Sequence, residues 1–326
     1  MRVSHLVTCL SPLISGAWSF QVPSLQRPSV PQRSVFSSPN TNTNMNMSGG
    51  DAGDKAEKKA VTPEKIAGRK KRVALVYRIL MTETALFSGV IYAKSRNPFY
   101  AVGPLLACAV SHVLLGAAGE DRLASDTYKR LNLGLGTYGL VALFAGICMG
   151  FPKIWAVSCV IAMINTIKGY GYGLKGWELA PANAVGDLLG GWKSNFRSMV
   201  KIPTLKSAGY LAGTGVVGAL TLAKVREVAE IITTGAGTYK LGQRLFRLSM
   251  FMILTVIMFT LKDAADRDRL DGSTFVELNG VASISFAAWA WEAYSGAAFA
   301  PLSVGASLAL SLFSASNGLV SILKKK

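Results

Sequence analysis

AAGEDRLASDTYKRLN, residues 117 to 132, has a second version 147 positions later: AADRDRLDGSTFVELN, residues 264 to 279. Aligned without a gap, Ala117 matches Ala264, Ala118 matches Ala265, Asp121 matches Asp268 and Arg122 matches Arg269. Leu123, Thr127, Leu131 and Asn132 likewise match Leu270, Thr274, Leu278 and Asn279. Eight identities in sixteen positions is several times what chance gives, and a fixed offset marks an internal repeat. Each copy is a charged stretch between two apolar runs, so the repeat reads as a duplicated turn joining helices.

The rest of the chain says what those helices are. Half of the 326 residues are hydrophobic, 16% are charged, and the mean hydropathy is +0.34, too apolar for a soluble domain of this length. Apolar runs near the roughly 20 residues needed to span a bilayer lie at 73–93, 98–117, 132–151, 153–170, 206–230, 245–262, 275–297 and 301–322. The expected fold is all-α: a polytopic membrane helix bundle of about eight transmembrane helices in two parallel four-helix repeats. The offset of 147 carries the first run onto the tail of the fifth, the second onto the sixth and the third onto the seventh. The fourth and eighth correspond only with about five residues inserted. Repeat 1 is placed at 72–171, an interfacial linker at 172–205 and repeat 2 at 206–326.

A net charge of +17 in a soluble protein would suggest nucleic acid. Here the basic residues collect at the edges of apolar runs, with no basic face interleaved with aromatics, which argues for a lipid bilayer as partner and no nucleic acid. Lys70, Lys71 and Arg72, then Arg122, Lys129 and Arg130, then Lys168, Lys175, Lys193, Arg197 and Lys201, and finally Lys324 to Lys326 all fall on one face of an eight-span chain. Lys224, Arg226, Lys240 and Arg244 conflict with that count, and a tilted or broken fifth helix is expected there. Residues 182–201, ANAVGDLLGGWKSNFRSMVK, carry an apolar stripe that includes Trp192 and Phe196, the pattern of a helix lying in the membrane interface or of an amphipathic linker packed on the bundle.

The first fifty residues read as an address. MRVSHLVTCLSPLISGAWSF has a basic start, an apolar run and small residues near its end, the parts of a secretory signal. The following segment is rich in Ser, Pro, Asn and Arg and holds no acid before Asp51. With aromatic residues at the join (GAWSFQVP), residues 1–50 resemble the bipartite targeting presequences of algae with complex plastids, such as diatoms. The resemblance implies a plastid membrane, thylakoid or inner envelope, with both termini stromal. A signal peptide and tail on an endomembrane protein is the plainer alternative. Residues 51–71 read as a charged, disordered linker.

Polar groups inside apolar spans carry whatever chemistry there is, because a charge in hydrocarbon is costly. Glu83 lies about ten residues from either edge of the first run, and the offset of 147 takes it to Glu230 and takes Tyr92 to Tyr239. Two carboxylates near a pseudo-twofold axis would suit proton or solute binding in a transport pathway; pairing of Glu83 with Arg78 and of Glu230 with Arg226 would make them structural instead. His112, with Phe259 as its counterpart, and Asn165 are further pathway candidates, and Glu277, Glu292 and Asn317 weaker ones. In the turns, Asp121 with Arg122 and Asp268 with Arg269 either pair across the halves or hold the turn locally, and Thr274 with Glu277 fits a capping box.

Cys9, Cys108, Cys148 and Cys159 form no metal-ligand spacing, and no cofactor or metal is expected. GLGTYG (134–139) and GTGVVG (213–218) match a dinucleotide fingerprint but lie in apolar runs with no preceding strand. Gly209, Gly213 and Gly218 suit close helix contact instead. With no GxSxG, HExxH, CxxC or phosphate loop, an enzyme is not expected. The leading expectation is a plastid transporter or channel for a small solute, ion or proton. The alternative is a non-catalytic scaffold or assembly factor of a photosynthetic membrane complex.

Overall fold

The computed structural model describes residues 63–120, 122–123, 125–173, 204–235, 237–295 and 301–323, which form eight α-helices and no strand. They are α1 (Pro63–Ser95), α2 (Pro98–Gly119), α3 (Asp126–Met149), α4 (Lys153–Gly173), α5 (Leu205–Thr234), α6 (Thr238–Asp266), α7 (Ser273–Ser295) and α8 (Pro301–Leu323). Six of them, α1, α2, α3, α5, α6 and α8, are long and apolar enough to cross a membrane, and α4 has a shorter apolar stretch, Lys153–Ile164. By length and composition the chain is suited to be a multi-pass integral membrane protein. Large apolar side chains stand on its outside, among them Leu86, Ile147, Leu222 and Leu312, as a lipid-facing surface requires.

Local sequence sets the helix ends. Asn97 caps α2, its Oδ1 accepting the Phe99 N–H at 2.9 Å, with Pro98 at the first position. Thr204 caps α5 in the same way through Ser207 N–H at 3.1 Å. Gly150 and Gly235 end α3 and α5 in the left-handed region that glycine tolerates. α1 begins at Pro63, inside the stretch read as disordered linker, because proline is preorganised to start a helix and the charged run after it is made of good helix formers. The targeting segment, most of the linker, residues 174–203 with the amphipathic stripe and Lys324 to Lys326 lie outside the described residues.

α5 is one continuous helix, not a broken one, and α6 starts seven residues before the expected 245. The charges that interrupt the apolar run are satisfied along the helices. Glu227 pairs with Lys224 and, at 2.6 Å, with Arg244, while Glu230 pairs with Arg226 at 2.9 Å. Such i,i+3 and i,i+4 pairs support a helix rather than end it.

The helices interlock. α1 packs on α2 and α5 on α6, as hairpins; α3 packs on α4 and α7 on α8. The third helix of each set of four, however, also leans on the second helix of the other set: α3 lies chiefly against α6, and α7, whose main neighbour is α8, lies next against α2, with α2 and α6 also in contact. Close approach of α3 to α6 depends on glycine, since a side chain at Gly134 would collide with Val256, and one at Gly242 with Met149 and Cys148. The core follows the same plan. Leu106, Val110 and Leu114 of α2, Leu131 and Leu135 of α3, Ile253, Leu254 and Ile257 of α6, and Leu278 and Phe286 of α7 are fully buried.

Candidate functional site

The polar groups fall into three sets, all on the interlocked helices or their turns. The first is the turn quoted at the outset. The α6 end is a Schellman motif: Arg269 N–H donates to Ala264 O at 2.9 Å, Asp268 N–H to Ala265 O at 3.3 Å, and Asp268 takes the left-handed conformation with φ of 50°. After α2, Arg122 N–H donates to Ala117 O, also at 2.9 Å. Asp and Asn adopt this backbone more readily than other non-glycine residues, which accounts for Asp268. Leu123 and Leu270, next in each copy, are buried and anchor the turn. After α6 the Asp-Arg dipeptide is thus a backbone device, and after α2 Arg122 makes the equivalent backbone bond. Arg122 pairs with its neighbour Glu120, and Asp121 lies outside the described residues.

Beside this turn the two crossings are made by different chemistry. Between α3 and α6, Arg130 pairs with Asp263 at 3.2 Å and lies 4.9 Å from the Phe259 ring centroid. Both charges are nearly buried, at 11% and 6% exposed, and Arg267 holds the other oxygen of Asp263 at 3.1 Å. Between α2 and α7, at the positions 147 away from Phe259 and Arg130, His112 Nδ1 meets Glu277 Oε2 at 2.9 Å. Thr274, expected to cap α7, lies inside that helix, and its Oγ1 faces Tyr128 Oη at 3.3 Å. Lys262, fully buried, pairs with Asp266 at 2.6 Å, and Asp266 accepts the Ser207 hydroxyl at the start of α5.

The second set is inside. Tyr77 of α1 donates to Asn132 Oδ1 of α3, and Tyr210 of α5 donates to Asn279 Oδ1 of α7 at 2.6 Å. Sequence reasoning missed both, because the fixed offset of 147 sets Lys224, not Tyr210, against Tyr77. A buried tyrosine in each first helix was the available signal. The third set closes the opposite end: Arg247 donates to Tyr100 Oη and to Glu292, each at 3.0 Å, and Asn97 donates to the other Glu292 oxygen.

The pathway candidates are not gathered into one place. Glu230 is 59% exposed near the tip of the α5–α6 hairpin and ion-paired with Arg226. Glu83 is half-buried in the middle of α1; its Oε2 has no partner among the described residues, and no pair with Arg78 forms. Six residues past Tyr210, where Glu83 stands six past Tyr77, is Val216. His112 is held by Glu277 at the edge of the bundle, and the Asn165 side chain lies outside the described residues. Gly209 and Gly213 face Phe313 and Met258, whereas Gly218 meets nothing within 4 Å. No His, Cys, Asp and Glu grouping able to hold a metal occurs among the described residues.

No protein-family model, curated protein or solved structure matches the chain.

Proposed function

We propose that this chain is a non-catalytic scaffold or assembly factor of a plastid membrane complex, built by duplication of a four-helix unit. The interlock carries this reading: α3 on α6 and α7 on α2 are bridged by Arg130–Asp263 and His112–Glu277, and the opposite end is tied by Arg247, Tyr100 and Glu292. Rocking one repeat against the other, the usual route to alternating access, would break contacts at both ends. The duplication has a shifted register. Asn279 follows Asn132 by 147 positions but Tyr210 follows Tyr77 by 133, so 14 residues are extra in the second hairpin, where α5 and α6 both run past their counterparts. The plastid address rests on the composition of residues 1–50.

Solubilising the membrane in mild detergent and following the full chain on a native gel tests the scaffold. Migration in an assembly well above its 34.6 kDa mass is expected; migration alone, with solute flux in proteoliposomes, would overturn the reading. Transport through the first four helices is the second reading, favoured by the buried Glu83 Oε2, which has no partner among the described residues. It requires flux that Glu83→Gln abolishes and Glu230→Gln leaves intact.

A further inference from the structure

Of the six helices apolar enough to cross a membrane, α1 is the least enclosed by the rest of the chain: 17% of its most apolar stretch is buried, against 78% for α2 and 72% for α6. Its outward side carries a stripe of Ile79, Glu83, Leu86 and Val90, the three apolar residues exposed and Glu83 half-buried. Their spacing of four, three and four is that of a seam on which a second helix lies. Glu83 stands 13 residues after Lys70 and 10 before Ala93, the two ends of the span. At a rise of about 1.5 Å per residue it lies about 15–20 Å from either end, near the middle of a bilayer core about 30 Å thick.

A carboxylate at that depth is costly unless something pairs with it. Glu83 Oε2 has no partner among the described residues, and no ion pair forms with Arg78. On α5, which holds the equivalent place in the second set of helices, the residues 133 positions on are Ala212, Val216, Ala219 and Ala223, all exposed and none polar. Lipid covers that face without penalty; on α1 it leaves a charge unmatched. We infer that the stripe from Ile79 to Val90 is a docking surface for a membrane-spanning helix of a partner protein, whose Lys or Arg at mid-span pairs with Glu83. The inference rests on the scaffold reading and gives that scaffold its surface. Ile79, Leu86 and Val90 supply the packing, and the carboxylate selects the helix and its depth, because a base placed a turn away would strand two charges in hydrocarbon.

Photocrosslinking of the full chain in its native membrane tests this, with p-benzoylphenylalanine placed at Leu86 or, as a control, at Ala219. Mass spectrometry is expected to join position 86 to a membrane-spanning segment that holds a Lys or Arg near its centre, and to join position 219 to no such segment. On a native gel, Glu83→Gln should lower the assembled fraction about tenfold, the worth of one polar contact between membrane helices. Leu86→Trp, which blocks the seam without touching the carboxylate, should do the same, and Ala219→Trp should not. Glu83→Lys combined with Glu in place of the partner's base should restore assembly. Wild-type assembly of both Glu83→Gln and Leu86→Trp would overturn the inference and leave the scaffold reading standing. So would a crosslink from position 86 only to a second copy of this chain, or to a segment with no base. A wild-type chain that migrates alone would overturn both.

Discussion

The first four helices and the last four answer the same geometric problem with different side chains. Each must lean its third helix on the other's second. The α3–α6 crossing uses the nearly buried Arg130 and Asp263 with the Phe259 ring and a more exposed Arg267, while the α2–α7 crossing uses the part-exposed pair of His112 and Glu277. Behind the crossings the contrast reverses: the last four helices satisfy Asn279 and Ser285 internally, and in the first four Asn132 Nδ2 and Tyr138 Oη have no partner among the described residues. Arg122 and Arg269 make the same backbone bond at the two turns, while side-chain chemistry away from the turns differs.

The strongest way to break the comparison is at Asp263, whose counterpart 147 positions earlier is Gly116. Asp263→Ala strands Arg130 in a nearly closed site and is expected to cost about 3 kcal/mol of unfolding free energy, measured by denaturant titration in detergent. A cost below about 1 kcal/mol would show that the two crossings bear equal weight. Next come Leu131→Ala and Leu278→Ala, equivalent and fully buried. Each is expected to cost about 2 kcal/mol or more through the cavity left behind, and a clear inequality would count against equivalent packing. Tyr77→Phe and Tyr210→Phe should each lose about 1 kcal/mol, the modest value of a buried interhelical hydrogen bond. Smallest is the exposed Arg226–Glu230 pair: Glu230→Gln should change stability by no more than about 0.5 kcal/mol, and a larger loss would tie the hairpin tip to the core.

Much of the helical plan was legible in the sequence. The eight apolar runs at 73–322 each coincide with a helix, because a stretch that is hydrophobic all round has few other ways to satisfy its backbone. The end of α5 was not legible. Lys224, Arg226, Glu227 and Glu230 break the hydropathy, and only their pairing along the helix and with Arg244 shows that the helix continues. The interlock was hidden for a different reason. Which helix α3 leans on is decided by small residues such as Gly134 meeting Val256 over a hundred positions away, and no local pattern encodes that partner. The match of Glu83 to Glu230 came from extending the turn's offset to the first and fifth helices, where the Tyr77–Asn132 and Tyr210–Asn279 bonds pair Tyr77 with Tyr210, 133 positions apart, instead.

The interlock also sets a schedule for synthesis. α6 begins at Thr238, 89 positions after α3 ends at Met149. At roughly 5–20 residues per second, α3 waits about 4–18 s for its main partner. During that interval Arg130 has no Asp263 to meet, and the face of α3 around Gly134 that awaits α6 is open to whatever else occupies the bilayer. The first four helices therefore leave the ribosome as an unfinished half, in which α3 waits for the sixth helix and α2 for the seventh.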